Sequence, residues 1–342
     1  MRTAVYSARS YDRDSLEAAN AAAGSPHEFD VLDAPGGGFS GPRLGPRTAA
    51  LAEGCAGVCV FTNDHLDRET LEALAALGCT NVALRCAGFN NLDIEAAREL
   101  GFRVGRVPAY SPHAVAEHAL ALILTLNRQT HRAYNRVREQ NFSLDGLLGF
   151  DLHGKAVTIV GTGAIGSVLA DILLGFGCCV IAVDPNERQE LIDKGVRYAS
   201  FEQALPETKI LCLNCPLTPA TKHLVNAHSI GLLPRGAMIV NTARGAVVDT
   251  PALIAALKSQ HIGAVALDVY EEEEDLFFED RSQSILTDDV FARLLTFPNV
   301  LITSHQAFFT REALGAIAAT TVENLSAMEA GRVPAANGVP GL

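Results

Sequence analysis

The sequence predicts an α/β fold of doubly wound parallel sheets, and three observations carry that expectation. The stretch AVTIVGTGAIGSVLADILLGFGCCVIAVD, residues 156–184, reads as strand, glycine turn, helix and second strand. Strand-like and helical patterns alternate through the chain before residue 110 and resume after Asp184, which calls for parallel sheets with crossover helices. With 342 residues the chain is also long enough for two domains of ordinary size.

The alternation opens with a strand at 3–7, into which Met1 and Arg2 run directly, so no leader is expected. Further strands are expected at 29–32, 57–61, 82–84 and 103–107, with helices at 15–23, 67–77 and 92–100. Residues 34–46, APGGGFSGPRLGP, are too rich in Gly and Pro for regular structure and read as a surface loop. LRCAGFNNLD, residues 84–93, reads as a strand ending in a polar, glycine-bearing turn before a helix capped by Asn90 or Asn91. Ligands of open α/β sheets bind beyond the carboxyl ends of strands, which makes the backbone amides of this turn a candidate substrate contact. An ordinary βα turn fits the pattern equally well.

Pro112 is well placed at the first position of a helix over 112–132. Its apolar run 119–126 is too short to cross a bilayer and suits a buried connecting or interface helix. His118, within that helix, reads as a satisfied core histidine in preference to a catalytic one. Residues 141–151 form an irregular loop leading into the second half.

That half begins with the apolar, β-branched strand 156–160, the pattern of a strand covered on both faces. Gly161, Gly163 and Gly166 follow as G-x-G-x-x-G: the first permits the tight turn, the second admits a pyrophosphate to the backbone, and the third lets helix pack on strand. The phosphates would rest on the N-terminus of the helix 167–176. The next strand, 178–183, ends at Asp184, about 20 residues past the glycines, as expected of a ribose ligand. A carboxylate there accepts from both ribose hydroxyls and repels a 2′-phosphate, so the expected cofactor is NAD and not NADP. Beyond it, strands are expected at 197–199, 210–214, 237–241, 264–267 and 300–303, with helices at 251–259 and 311–329. Polar interruptions fall just past four of these strands: Cys215-Pro216, the run from Asn241 to Gly245, Asp268 to Glu273, and Ser304 to Phe308.

Hydrophobic residues at 48% and charged ones at 19% describe a compact globular chain. A net charge of -12 without a basic cluster argues against nucleic acid or an anionic membrane as partner, so an anionic substrate must be drawn by local positive groups. The eight cysteines mostly sit in apolar strand-like runs, where Cys acts as a small hydrophobe, and a cytoplasmic location with reduced thiols is expected. Cys212-x-x-Cys215 has redox or zinc spacing but no second pair, so no metal site is assigned. Cys178 and Cys179 point to opposite faces of a strand and are badly placed to cross-link.

Taken together, GTGAIG, NTARGAVVD, DVYEEEEDLFFED and SHQAF, with RCAGFNN and RVPAYSP ahead of them, resemble the D-2-hydroxyacid dehydrogenases, most closely the fermentative lactate-forming branch. The likeness covers nearly the whole chain in order. It implies two Rossmann-like or flavodoxin-like domains with an inter-domain cleft: a discontinuous substrate domain, 1–109 with 306–342, and an NAD-binding domain, 110–305. The family's substrate arginine falls on Arg244 and its acid/base histidine on His305. Its acid partner falls on Glu273, five residues after Asp268, whose charge should orient the ring; Glu271, Glu272 and Glu274 are read as solvated.

The resemblance also implies cofactor contacts at Gly161, Gly163, Ala164, Ile165, Gly166, Asp184, Cys215, Pro216, Thr242, Ala243, Arg244 and Asp268. Substrate contacts are implied at Cys86, Ala87 and Gly88, and at Tyr110, Arg244, His305 and Phe308. Pyruvate is the expected 2-oxo acid, because two bulky aromatics leave little room for a side chain. A larger 2-oxo acid is the alternative within the same chemistry, and an NAD-binding regulatory protein the alternative outside it. A homodimer or homotetramer is expected, with the 112–132 helix as a contact.

Overall fold

The computed structural model describes residues 1–33, 41–273, 276–278 and 280–342, so most of the predicted 34–46 loop and Glu274 lie outside the described residues. The chain divides into two compact units, Met1–Ser111 with Phe309–Leu342, and Pro112–Phe308.

The first unit is built on strands β1 (Arg2–Val5), β2 (Glu28–Val31), β3 (Gly57–Val60), β4 (Asn81–Leu84) and β5 (Arg103–Gly105). All pair in parallel, in the order β2-β1-β3-β4-β5. β3 and β4 are buried along their whole length, as strands covered on both faces must be. The predicted helices recur as Ser10–Ala22, Arg68–Ala76 and Ile94–Glu99. The first starts five residues earlier than expected, because the Asp12 carboxylate reaches back to accept from the Arg9 N–H at 3.1 Å and caps the first turn ahead of the apolar pattern. The third is capped by Asp93, whose carboxylate accepts from the Ala96 N–H, and not by Asn90 or Asn91. Asn91 instead donates to the Phe61 and Asp64 carbonyls and ties the loops after β3 and β4 together. The terminal helix Arg311–Glu329 packs on Ser10–Ala22, joining Leu325 and Ala318 to Leu16 and Val5.

The second unit carries β6 (Ala156–Val160), β7 (Cys179–Val183), β8 (Arg197–Tyr198), β9 (Ile210–Leu213), β10 (Ala237–Asn241), β11 (Ile262–Leu267) and β12 (Val300–Ile302). They form one parallel sheet in the order β12-β11-β10-β9-β6-β7-β8. The order reverses between β6 and β9, the crevice where such sheets take a dinucleotide. The helix expected over 112–132 is instead two helices, Pro112–Arg128 and Thr130–Arg138, broken at Gln129 with φ 49°. Asn127, just before the break, exchanges both side-chain hydrogen bonds with the Phe150 backbone. The turn is therefore held by a partner more than twenty residues away, which no local sequence signal announces. Ala116, Ala119, Leu122, Ile123 and Leu126 of the first helix pack into this unit's own core, against Leu169 and Leu173.

Candidate active site

Every predicted site in the second unit lies at the carboxyl edge of its sheet, and the loops follow one another in strand order: Thr303–Phe308 after β12, Asp268–Glu273 after β11, Thr242–Arg244 after β10, Cys215-Pro216 after β9, Gly161–Gly166 after β6 and Asp184 after β7. Sequence-distant residues meet here because parallel strands all end at the same edge.

At β6 the glycines play separate parts. Gly161 has φ 93°, and a Cβ on it would lie 2.7 Å from the Asn214 carbonyl oxygen. A Cβ on Gly166 would collide with the Gly161 carbonyl, so the helix Ala164–Gly175 sits directly on the turn. Gly163 and Ala164 are exposed, and a Cβ on Gly163 would point into open space. The helix N-terminus is thus presented with its amides accessible, which fits a pyrophosphate. Asp184 is fixed at the end of β7: one oxygen accepts from the Thr162 N–H at 2.7 Å and the other from the Asn186 N–H at 2.8 Å. Cys215 is buried and Pro216 exposed. Cys212 lies buried within β9, and all eight cysteines are unpaired.

Arg244 is set by the loop around it. Asn241, fully buried at the end of β10, accepts from the Ala243 N–H at 3.0 Å and donates to the Arg244 carbonyl at 2.9 Å. Gly245 allows the next strand's loop to close in, since a Cβ there would strike the Tyr270 carbonyl. The Arg244 Nη1 donates to the Ala243 carbonyl at 2.6 Å, and its other guanidinium nitrogens make no hydrogen bond among the described residues. A half-exposed cation is left with an unfilled fork.

His305 stands beyond β12 with φ 53°, a left-handed backbone that few non-glycine residues adopt. Its N–H donates to the Asp268 carbonyl at 2.7 Å, which holds the turn. Nδ1 lies 2.8 Å from Glu273 Oε1, while Glu273 Oε2 accepts from the Tyr270 N–H at 3.0 Å. A carboxylate only accepts, so the proton is on Nδ1 and Nε2 is the nitrogen left to work. No hydrogen bond to Nε2 occurs among the described residues. The Phe278 ring lies 5.7 Å from the imidazole, tilted by 35°.

Asp268, expected at the cofactor, is fully buried, and its carboxylate is used on the histidine loop. It accepts from Thr303 Oγ1 at 2.6 Å, from the Gln306 N–H at 2.9 Å and from the Ala307 N–H at 2.9 Å, with His118 Nε2 at 3.4 Å. Burial pushes its carboxyl up, but the hydrogen bonds from His118, Thr303 and Ala307 outweigh that and hold it below the ordinary carboxylate range. His118 is therefore satisfied, as its place in an apolar helix suggested, and the groups that satisfy it belong to the site. Glu271, read as solvated, is not: its carboxylate lies 2.7 Å from His223 Nε2 and accepts from Thr250 Oγ1 at 3.3 Å. Glu272 is exposed as expected.

Residues 120–307 match the family described as D-isomer specific 2-hydroxyacid dehydrogenase, NAD binding domain. The chain belongs to the D-2-hydroxyacid dehydrogenases. Among its relatives in that family is the D-lactate dehydrogenase of Escherichia coli K12, 48% identical over 97% of this chain and 98% of the relative. The apo-structure of D-lactate dehydrogenase from Escherichia coli superposes with a TM-score of 0.89 at 45% identity, covering 99% of this chain and all of that one. The pyruvate reductase of Chlamydomonas reinhardtii gives 0.89 at 41% identity, over 97% of each chain. Within this dehydrogenase family the second unit is the NAD-binding part, and NAD is the cofactor.

In the first unit the predicted substrate turn follows β4. Cys86 is buried, Ala87 and Gly88 are half-buried, and Tyr110 is partly buried near the unit's end. Phe308 is buried at the end of the second unit. No helix among the described residues is long and apolar enough to cross a membrane.

Proposed function

We propose that this chain is a D-lactate dehydrogenase that reduces pyruvate with NADH. The observation that carries the reading is one sheet edge presenting a dinucleotide cradle, an unfilled guanidinium fork and a carboxylate-held histidine in strand order. The names borne by its relatives favour pyruvate.

In this reading Gly161, Gly163, Ala164, Ile165 and Gly166 seat the pyrophosphate and Asp184 takes the ribose hydroxyls. Cys215, Pro216, Thr242 and Ala243 complete the cofactor's surroundings. Bound NADH supplies the hydride to C2 of the oxo acid. Arg244 pairs with the substrate carboxylate through its planar fork and fixes the ketone's orientation. His305, protonated, gives its Nε2 proton to the ketone oxygen as charge develops there, and takes it back in the reverse direction. Glu273 holds the ring and stabilises the imidazolium. Asp268 acts through the loop as a positioning residue. The eight unpaired cysteines, seven of them buried, are consistent with a reducing cytoplasm.

The test is the initial rate of NADH oxidation with pyruvate, 2-oxobutyrate, 2-oxoisocaproate and phenylpyruvate, with NADPH as control. Pyruvate is expected to give the highest kcat/KM, and NADPH at least tenfold less than NADH because Asp184 repels a 2′-phosphate. Preference for a bulky oxo acid would keep the chemistry and discard pyruvate. Binding of NADH without turnover of any of them would favour a regulatory protein.

We also propose that the chain pairs with a second copy through the segment after Gln129, and not through the apolar helix before it. That helix spends its apolar side chains on its own core, whereas Tyr134, Val137, Phe142, Leu144 and Leu148 are 62, 54, 72, 82 and 93% exposed. Such a concentration of exposed apolar groups marks an association surface. The double change Phe142→Asp and Leu148→Asp is expected to yield monomers by light scattering; an unchanged mass would remove the segment from the interface.

A further inference from the structure

The turn after β4 has an unusual hydrogen-bond balance. Four successive carbonyls are held. That of Cys86 accepts from the Val107 N–H at 3.0 Å, that of Ala87 from Arg106 Nη1 at 3.0 Å, that of Gly88 from Cys86 Sγ at 3.2 Å, and that of Phe89 from the Leu92 N–H at 3.2 Å. By contrast, the N–H groups of Ala87, Gly88 and Phe89 donate to nothing among the described residues. Buried backbone donors are seldom left unused; Ala87, Gly88 and Phe89 are half-buried, and successive amides unused by the protein in a turn are the groups from which anion-binding concavities are built.

Among those four acceptors, only the Ala87 carbonyl is held by a charged side chain, and the acceptor of Gly88 is met by a weak thiol donor. Arg106 is itself built in. Its N–H donates to the Asn337 carbonyl at 2.8 Å, and its carbonyl accepts from Asn324 Nδ2 at 3.0 Å. Asn337 Nδ2 donates to Asn324 Oδ1 at 2.8 Å, in a buried pair. Gly105 and Gly338 form an antiparallel bridge, and Val339 is buried in the first unit's core. The Arg106 guanidinium lies 5.5 Å from the centre of the Phe89 ring and approaches the Gly338 carbonyl at 3.4 Å. The C-terminal segment therefore seats the arginine, and the arginine grips the turn at both Ala87 and Phe89.

We propose that Arg106 is a positioning residue for substrate binding: by holding the Ala87 carbonyl it keeps the Ala87, Gly88 and Phe89 amides turned out as a cradle for the carboxylate of the 2-oxo acid. This rests on the reading of the chain as a 2-oxo acid reductase and of this turn as a substrate contact. The positive charge serves the cradle through the turn, without touching the substrate.

The test compares Arg106→Gln, Arg106→Lys and Gly88→Pro in the full-length protein, by steady-state kinetics with pyruvate and NADH, by oxamate inhibition and by thermal denaturation. For Arg106→Gln, loss of one charged hydrogen bond to the turn is expected to raise the pyruvate KM and the oxamate Ki together, each about tenfold, with the NADH KM unchanged. Arg106→Lys, which keeps the charge and not the fork, is expected to fall in between, and it keeps the test open should the glutamine variant not fold. Gly88→Pro removes one amide directly. If it raises the pyruvate KM while both arginine variants leave it unchanged, Arg106 has no positioning role and the cradle stands. If none of the three moves it, the turn does not bind the carboxylate and the proposal falls with it. Equal losses with pyruvate and NADH, tracking a lowered Tm, would reduce Arg106 to a structural residue and also overturn the proposal.

Discussion

His305→Gln is expected to lower kcat about a thousandfold, the size of a lost general acid, while NADH binds as before. Glutamine retains a side chain that can reach Glu273, so the hydrogen bond 2.8 Å from Oε1 has a replacement, but it has no group that can carry and release a proton. The backbone is expected to survive as well. The turn is fixed by the His305 N–H on the Asp268 carbonyl and by the Gln306 and Ala307 amides on the Asp268 carboxylate, none of which involves the imidazole. The dinucleotide cradle belongs to β6 and β7, away from β12 in the sheet order. Fluorescence titration with NADH, beside single-turnover and steady-state rates with pyruvate, separates the two effects. Near-normal turnover would remove the histidine from its role, and lost NADH binding would mean that the substitution had disturbed more than the proton donor.

How much of this was legible in the sequence depends on which interactions fix each part. β10 and the Arg311–Glu329 helix fall on their expected bounds, because long apolar runs and helical periodicity report burial directly. The glycine turn was equally plain, since each glycine answers a local steric demand. Features fixed by remote partners were not. Gln129 adopts a left-handed break with no glycine or proline to announce it, and Asn127 meets its partner only in the folded chain. Asp93, two or three places past the predicted cap, wins because its carboxylate reaches the Ala96 amide.

Charged runs are harder still. Glu271 and Glu272 are adjacent and chemically identical, yet one is paired with His223 and the other is exposed, a difference fixed by where His223 and Thr250 lie in the folded chain. Arg106 and Asn337 left no sequence signal, since the contact between them joins the chain's middle to its end. The one available cue was chemical: a polar or charged residue beside a predicted strand end needs a partner, and asking which partner points to the site.

Arg244→Lys is expected to lower kcat/KM for pyruvate about a hundredfold, mostly through KM, although charge is conserved, because a charged bidentate contact is lost. The loop itself does not depend on the guanidinium: Asn241 binds the Arg244 backbone carbonyl and the Ala243 amide, and Gly245 makes room for the Tyr270 carbonyl. What the guanidinium does is divide its donors. Nη1 is committed to the Ala243 carbonyl at 2.6 Å, which locks the plane of the fork, and the remaining nitrogens are free to face a carboxylate. An ammonium gathers its three donors on one nitrogen, so a lysine anchored to Ala243 lacks the rigid parallel pair that meets both oxygens of a carboxylate, and its flexible stem loses more entropy in holding carbonyl and substrate together. Steady-state kinetics with pyruvate and oxamate inhibition measure the loss. If Arg244→Lys binds both as tightly as the parent, the fork is not what reads the carboxylate.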